Sequence, residues 1–549
     1  MGLSDNALKA LTEVLGEEYI STDPAVMSAY SRNFTSALGV RPPAGVALPG
    51  KMEDIQEIYR LANRFDFKVI PTGTHLFMSC EPMIPIYDYL TIDPKRMDGI
   101  WIDEENMYAV VEPYATWARL QVEAMKRGLT CYIPTAGAQT SVVANLTFQG
   151  YHMAAHRLGA GYRSMLAMEW VLPDGEIMNI GSTSYPGGEY FWGEGPGADL
   201  RGMIKGVWGF FGGLGMCTKA GIKLFPWPGP DKLPTRGDTP DKRVFLPEDK
   251  FKIYAIGFPT MDSVIDAMYE IGRSEIASVC VQMQKGWLAH EISLSQEHYF
   301  SMWESEAYQK SVENMLVVML TAYTSKKQLE YEDDVLRTIM DEYGGKLLSD
   351  EVQEGVAQVM VPDLMIRPNV VYRGFRIAGS FFDVKGAHDS IDHGAIAHKT
   401  TLPFIKDFAK DKTPPFVDDE GACHYICSYD FGHSGFFEMP FIYEPDADRK
   451  NVRALLAGLT AMGYLHDARH KTYPGGFVVS VGADIMGPFM GGFQKIIRKV
   501  KTTFDPNYVS NPGWPVFMWS RLSKDLMKSG MNSYRDKRRN MKKELEKNV

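Results

Sequence analysis

Residues 209–218 read Gly-Phe-Phe-Gly-Gly-Leu-Gly-Met-Cys-Thr, and Lys223-Leu224-Phe225-Pro226 closes the stretch that follows. Four glycines within seven residues suit neither a helix nor a plain strand. They let backbone amides approach a ligand or another backbone closely. Two earlier stretches share this character. Pro71-Thr72-Gly73-Thr74-His75-Leu76 follows the short apolar run 67–70. Pro134-Thr135-Ala136-Gly137-Ala138 leads through Ser141, Val142 and Asn145 to Gly150, Gly159 and Gly161. Successive N–H groups in such turns form an anion-binding nest, so a diphosphate can be held on amide dipoles without a lysine. Taken singly, each run reads as turns; the ordered set of three suits a bound dinucleotide. No G-x-G-x-x-G joins a first strand to a helix and no G-x-x-x-x-G-K-[ST] is present. A doubly wound nicotinamide enzyme and a P-loop nucleotidase are therefore disfavoured.

Outward from these stretches, helix and strand signals alternate. Residues 52–64 place Ile55, Ile58, Tyr59, Leu61 and Ala62 on one helical face. Strands are expected at 67–70 and 107–112, a helix at 115–127, and two strands within 165–180 about the turn Pro173-Asp174-Gly175. This mixture predicts an α+β domain closing near Pro226-Trp227-Pro228. Residues 229–246, polar and broken by Pro and Gly, read as a linker. A second domain follows, with strands at 251–257 and 371–379 and helices at 262–272 and 325–341. Helical pattern returns within 483–512, where Phe493, Ile496, Ile497 and Val500 are spaced for one buried face before Asp505-Pro506. No repeat at solenoid spacing is present.

A chain of 549 residues exceeds one ordinary core, so two or three domains are expected. Hydrophobic residues at 45% and charged residues at 23% are those of a globular protein. A formal charge of -10 argues against nucleic acid as a partner. Six cysteines are too few for a disulfide framework at this size and fit a reducing compartment. The N-terminal stretch is acidic where a signal peptide is basic, and no apolar run approaches the ~18 residues of a membrane span. Leu3-Ser4-Asp5-Asn6 after Gly2 does not suit myristoylation. A cytoplasmic protein is the expectation. Residues 521–549 carry ten Lys/Arg against four Asp/Glu, as either a solvated terminus or a docking arm.

With these residues in view, the chain resembles the vanillyl-alcohol oxidase/p-cresol methylhydroxylase superfamily of FAD-linked oxidases, with its FAD-binding type 4 domain. Ala47-Leu48-Pro49 with Glu53-Asp54-Ile55 is similar to the entry into the family's first helix and strand, and Met168-Glu169-Trp170-Val171-Leu172-Pro173-Asp174-Gly175 to its hairpin. Gly209 to Thr218 resembles its G-S-x-G-x-L-G-I-V-T segment. The stretch from Ile497 to Asn507, closing with Asn511-Pro512-Gly513, resembles the helix and tail that return to the FAD domain. The likeness covers 40–228 and 490–515, and the middle in outline. It implies an α+β protein with a two-part FAD-binding domain and an α+β cap built on an antiparallel sheet. The implied divisions are 1–228 and 476–520 for the FAD domain, 229–246 for the linker, 247–475 for the cap and 521–549 for the basic tail.

The resemblance also implies the cofactor and its holders. FAD would be held mainly by backbone, with Pro71, Thr72, Gly73, Thr74, His75, Leu76, Pro134, Thr135, Gly137, Ala138, Ser141 and Val142 around the diphosphate. Asn145, Gly150 and Gly159 would lie on the flavin side, with Gly215 and Met216 over the adenine half. His75 stands where some branches join a histidine covalently to the flavin; a loop histidine bonded to a backbone carbonyl is the other reading.

Histidines gather late in the chain: His424 and His433, then His466 and His470. An alcohol oxidised by hydride loss needs a base for its hydroxyl proton, and histidine titrates in the right range. The expected catalytic set is His466, Arg469 and His470, with Arg469 facing an anion or a developing alkoxide. Gly463 to Arg469 lacks the adjacent Tyr-Arg of the aromatic-alcohol branch, and no H-x-G-D-G-N-x-H-like metal segment is present. His424, His433 and Glu438 are the one metal set on offer, against packed, hydrogen-bonded histidines; no metal is expected. Cys423 and Cys427 read as core thiols. Tyr185, Tyr190, Phe191 and Trp192 read either as a loop over a ligand or as a packed corner. The implied function is an FAD-dependent oxidoreductase acting on an aromatic alcohol, an alkylphenol or a 2-hydroxyacid by hydride transfer to flavin N5. A transferase of the alkyl-dihydroxyacetonephosphate synthase type, or a flavoprotein subunit of an electron-transfer complex, is the alternative. A homo-oligomer with an acceptor protein or second subunit is expected.

Overall fold

A computed structural model of the chain describes residues 3–31, 42–75, 88–135, 137–148, 150–206, 209–312, 314–366, 376–377, 383–399, 424–441, 473–474, 483, 487 and 491–516. The chain opens with α1 (Asp5–Leu15), whose first turn is capped by the Ser4 hydroxyl accepting from the Ala7 amide, and α2 (Pro24–Ala29). α3 (Met52–Phe65) buries Ile55, Ile58, Tyr59, Leu61 and Ala62, the face its 3.6-residue period marks. These helices accompany a four-stranded sheet of β1 (Ile20–Ser21), β2 (Gly45–Ala47), β3 (Lys68–Pro71) and β4 (Tyr89–Ile92), ordered β1-β2-β4-β3. The far end of the chain extends this sheet. Val69 N–H donates to Val509 O (2.7 Å) and Asn511 N–H to Val69 O (2.8 Å), a parallel bridge centred on Ser510. The FAD-domain half is thus built from both ends of the sequence.

A second, antiparallel sheet follows: β5 (Ile100–Asp103), β6 (Tyr108–Val111), β8 (Met165–Val171), β9 (Ile177–Ile180) and β10 (Met216–Lys223), ordered β5-β6-β10-β8-β9. β7 (Leu129–Thr130) pairs separately with β11 (Phe225–Pro226). The β8–β9 turn sits at 172–176, where Gly175 takes φ +86°, a conformation that side chains resist. α4 (Trp117–Met125), α5 (Val142–Phe148) and α6 (Ala155–Leu158) join this half, and Trp117, Leu120, Leu146, Met168 and Trp170 share its core. The expected linker is not plain coil: β12 (Thr235–Arg236) and β13 (Arg243–Val244) make a small hairpin, and Arg243 donates to Gln358 at 3.1 Å.

The cap is built on β14 (Phe251–Gly257), β15 (Val279–Met283), β16 (Met315–Thr321), β17 (Lys346–Leu347), β18 (Asp383–Asp389), β19 (Tyr425–Tyr429), β20 (Ser434–Phe441) and β21 (Tyr473–Pro474). They form one antiparallel sheet ordered β17-β14-β16-β15-β19-β20-β18-β21. Side chains alternate faces along each strand. Cys280, Leu316, Val318, Leu320, Ile426 and Phe437 pack under α7 (Met261–Arg273), and residues Leu329, Leu336 and Ile339 of a long helix join them. Val281, Met283, Val317, Met319, Tyr425, Cys427 and Phe436 face the other way, onto Tyr151, Met153, Ala155 and Ala160 of the FAD half. α8 (Lys285–Ile292), α9 (Gln296–Glu304) and α10 (Glu306–Ser311) precede that long helix, α11 (Lys326–Tyr343); α12 (Asp350–Gly355) and α13 (Val361–Met365) follow. Of the strand expected at 371–379, residues 376 and 377 are helical and the others lie outside the described residues. Among the described residues no helix is long and apolar enough to cross a membrane.

α14 (Phe493–Phe504) lies where a helix is expected but turns a different face inward. Phe493 and Ile496 are 38% and 60% exposed, Ile497 and Val500 are half-buried, and Gln494 and Lys501 are buried. The Lys501 ammonium finds Asp505 Oδ2 at 2.6 Å and the carbonyls of Gly213 and Ser510, so its burial is satisfied. That polar anchor, and not the apolar spacing, sets the rotation of the helix.

Candidate functional site

The glycine stretches meet. A Cβ on Gly73 would lie 2.9 Å from Ser141 Cβ and 3.1 Å from Ala144 Cβ, so the 71–75 loop rests on the start of α5. Ser141 holds that start, its hydroxyl donating to Pro113 O (2.7 Å) and accepting from Ala144 N–H (3.1 Å). A Cβ on Gly212 would lie 2.8 Å from Pro71 Cγ, which brings the third stretch to the first. Thr72 is anchored by its hydroxyl to Ile92 O (2.7 Å). Pro134, Thr135 and Ala138 are buried, and Gly137 N–H turns back to Pro134 O. Among the described residues the amides of Gly73, Thr74 and His75 donate to no protein acceptor. Free donors in a bent loop are what a diphosphate needs.

The remaining expected holders divide. Asn145 is half-buried on α5, its carbonyl accepting from Gly150 N–H at 3.0 Å. Gly161 N–H donates to Gly150 O (2.8 Å), an approach any Cβ on Gly161 would block. A Cβ on Gly159 would collide with Asp430 of the cap. Val142 packs in the core beneath the second sheet, and Met216 in the core around α3, against Val171. Gly215 N–H donates to Ser510 Oγ at 2.9 Å. Gly215 and Met216 therefore contact the seam between the sheets and the C-terminal segment. Leu76 lies outside the described residues.

His75 has φ +53° and meets the Tyr30 ring edge-on, centroids 5.0 Å apart. Tyr30 donates to Asp93 Oδ2 (2.6 Å), and Lys95 stands 2.8 Å from the same carboxylate. His75 Nε2 is buried, and among the described residues it has no hydrogen-bond partner, a backbone carbonyl included. Burial lowers the pKa of its imidazole, with Asp93 pulling the other way.

Where the FAD half meets the cap sheet, aromatic rings enclose one carboxylate. Tyr151 stacks on Tyr425 (5.5 Å, 24°) and lies 4.6 Å from Phe436. His388 is 4.6 Å from Phe436 and 5.8 Å from Tyr429. Tyr425 stands directly across from Glu438 in the β19–β20 pair, on the same face of the sheet. Glu438 and His388 lie on the face of the sheet that turns to Tyr151, and each keeps some accessible surface. Burial pushes the Glu438 carboxyl up to about 7, against the lowering effect of the Tyr425 hydroxyl. Burial takes His388 down to about 3, which leaves a neutral ring.

The metal set does not assemble. Since Tyr425 faces Glu438, His424 points to the opposite side of the sheet, near Phe437 (6.1 Å), and His433 is exposed in the turn. No group of three His, Cys, Asp or Glu able to hold a metal occurs among the described residues. Cys427 is buried, and burial raises its thiol pKa; Cys423 lies outside the described residues. Tyr185, Phe191 and Trp192 are 53%, 55% and 42% exposed, so they form no packed corner. His466, Arg469 and His470 all lie outside the described residues. Glu438 carries a signal that the sequence reading did not assign to a base: a charge two residues from Phe436, on the strand that follows the alternating Tyr425, Cys427 and Tyr429.

Glycine-rich stretches from three parts of the chain thus come together in the half that lies under the β-sheet cap. Residues 43–181 match the FAD binding domain family. A 1'-carboxy-chondrochloren decarboxylase of Chondromyces crocatus is 29% identical over 237 residues, 41% of this chain and 41% of that protein. A D-lactate dehydrogenase of Archaeoglobus fulgidus is 24% identical over 288 residues, 52% of this chain and 55% of the relative. The matches thus span about half or less of these relatives' lengths. Among solved structures, 4-ethylphenol oxidase from Gulosibacter chungangensis superposes with TM-score 0.73 at 19% identity, covering 95% of this chain and 99% of its own. p-Cresol methylhydroxylase gives 0.69 at 16% identity, covering 93% and 96%. The fold is that of the vanillyl-alcohol oxidase/p-cresol methylhydroxylase superfamily, and FAD is the cofactor. The amides of 73–75, which donate to no acceptor among the described residues, and the close-packed glycines fit that group.

Proposed function

We propose that the chain is an FAD-dependent oxidoreductase that oxidises a small organic substrate, an aromatic alcohol, an alkylphenol or a 2-hydroxyacid, at a C–H bond beside a hydroxyl or an aromatic ring. Bound FAD would supply N5 as the hydride acceptor. The observation that carries the reading is the aromatic cluster between the 150–161 segment and the cap sheet, where Tyr151, Tyr425, Tyr429, Phe436 and His388 surround the Glu438 carboxyl group. Amides of the 71–75 loop would hold the diphosphate. Aromatic rings fix the plane of the substrate and exclude water from it. In this reading Arg469 meets a substrate anion or developing alkoxide, and His466 or His470 is the base offered by the sequence pattern. His75, whose buried Nε2 has no hydrogen-bond partner among the described residues, is the attachment point for the flavin.

The test is a visible spectrum followed by anaerobic titration with alcohols, phenols and 2-hydroxyacids. Bleaching of the flavin by a member of the panel is expected. A flavin that none of them bleaches refutes the reading, and turnover without any electron acceptor transfers the protein to the synthase-type chemistry.

A further inference from the structure

Glu438 is the buried ionisable group that the expected catalytic set leaves without a role. Three strands converge on it. Across β19 stand Tyr425, Cys427 and Tyr429, across β18 stand Gly386 and His388, and from the FAD half Tyr151 closes the box. Its titratable neighbours are neutral near pH 7: burial raises the three tyrosines and Cys427 and lowers His388. Tyr425 stands opposite the carboxyl group in the β19–β20 pair, and Tyr151, whose hydroxyl donates to Met153 Sδ (3.2 Å), stacks on Tyr425. A carboxylate among such neighbours is costly to ionise, yet Glu438 keeps some accessible surface on the face of the sheet that turns to Tyr151.

We propose that Glu438 is the catalytic base of this site, accepting the hydroxyl proton of the substrate, with Tyr425 opposite it as the positioning residue. The assignment rests on the oxidation proposed above. In the step, the substrate O–H bond breaks and its proton passes to the Glu438 carboxylate. The C–H electron pair leaves as hydride to the flavin, so the substrate loses two electrons and a C=O bond forms. Glu438 takes the part that the sequence pattern offers to His466 or His470. A base whose pKa lies close to the working pH is well matched to this task.

The experiment compares wild-type, Glu438→Gln and Tyr425→Phe holoenzymes. FAD content and spectrum are expected to be unchanged in Glu438→Gln, while the limiting rate of anaerobic flavin reduction falls about 10²–10⁴-fold and loses its rise with pH. Tyr425→Phe removes the hydroxyl that lowers the carboxyl pKa, so the pH break moves upward while the high-pH plateau survives. A second readout needs no turnover. In pH-difference infrared spectra of the oxidised holoenzyme, a protonated-carboxyl band should fade as pH rises through about 7 and be absent in Glu438→Gln. Wild-type bleaching with an unchanged rate and break in Glu438→Gln overturns the base assignment alone, and a break lost instead in His466→Ala or His470→Ala does the same. If no substrate bleaches the wild type, the oxidation reading fails and takes this proposal with it, even where the infrared band titrates as expected.

Discussion

Replacing Lys501 by methionine probes the join between the two ends of the chain. Its side chain is 0% exposed, and its ammonium stands 2.6 Å from the Asp505 carboxylate, itself 1% exposed. The same ammonium donates to the carbonyls of Gly213 and Ser510. Methionine fills much of the volume but leaves Asp505 as a buried charge held only by the Val509 and Ser510 amides, at 2.8 and 3.0 Å. Removing one partner of a buried pair costs about 3–5 kcal/mol, far more than replacing both partners. Lys501→Met should therefore lose about that much, and Lys501→Met with Asp505→Asn should recover part of it because no buried charge remains. The loss should appear where 509–511 joins β3 and where Ser510 meets Gly212 and Gly215. Urea titration followed by flavin release, with hydrogen exchange at Asn511, measures both. A variant that releases flavin at the wild-type urea concentration with Asn511 still protected would refute the reasoning.

Three further outcomes are expected. Gly161→Ala drives a methyl group into the Gly150 carbonyl, an overpacking of about 1–3 kcal/mol, and should lower the FAD content of purified protein; full occupancy by absorbance ratio counts against the close approach. Acid precipitation should leave yellow colour in the wild-type pellet and free it in His75→Ala; colour wholly in the wild-type supernatant rules out attachment. Glu438 has a raised pKa in the fold, so the unfolded chain ionises first and stability falls as pH rises from about 4.5 to about 7. That shift corresponds to at most about 3 kcal/mol, and Glu438→Gln should lack the slope in apoprotein melts recorded across that range.

Sequence reading succeeded where a single residue fixes local geometry. Gly175 imposes the β8–β9 turn, and the spacing of Ile55, Ile58 and Leu61 imposes the buried face of α3. It failed on α14, because apolar spacing says nothing of a lysine whose ammonium is satisfied by carbonyls from 288 and 9 residues away. It also grouped His424 with Glu438, since only the register that sets Tyr425 opposite Glu438 reveals that the two lie on opposite faces. An alternating strand declares which of its residues share a side but not which strand lies next to it. The order of the eight cap strands was beyond reach for that reason.

The same distinction separates what could be located for the cofactor from what could be located for the substrate. Recognition by amides leaves a mark in the sequence, because only glycine tolerates the approach of Gly161 to Gly150 or of Gly212 to Pro71. Such a mark is local, but the site it serves is not: Pro71, Ser141 and Gly212 meet only when Ser510 is drawn in beside β3. Lys501 is what draws it in. The substrate side depends instead on pairings between strands far apart in sequence, where a carboxylate becomes a base because a distant tyrosine and a neutral histidine surround it. A residue search guided by chemistry alone selects histidines for that task. In this fold, the environment gives the work to a glutamate.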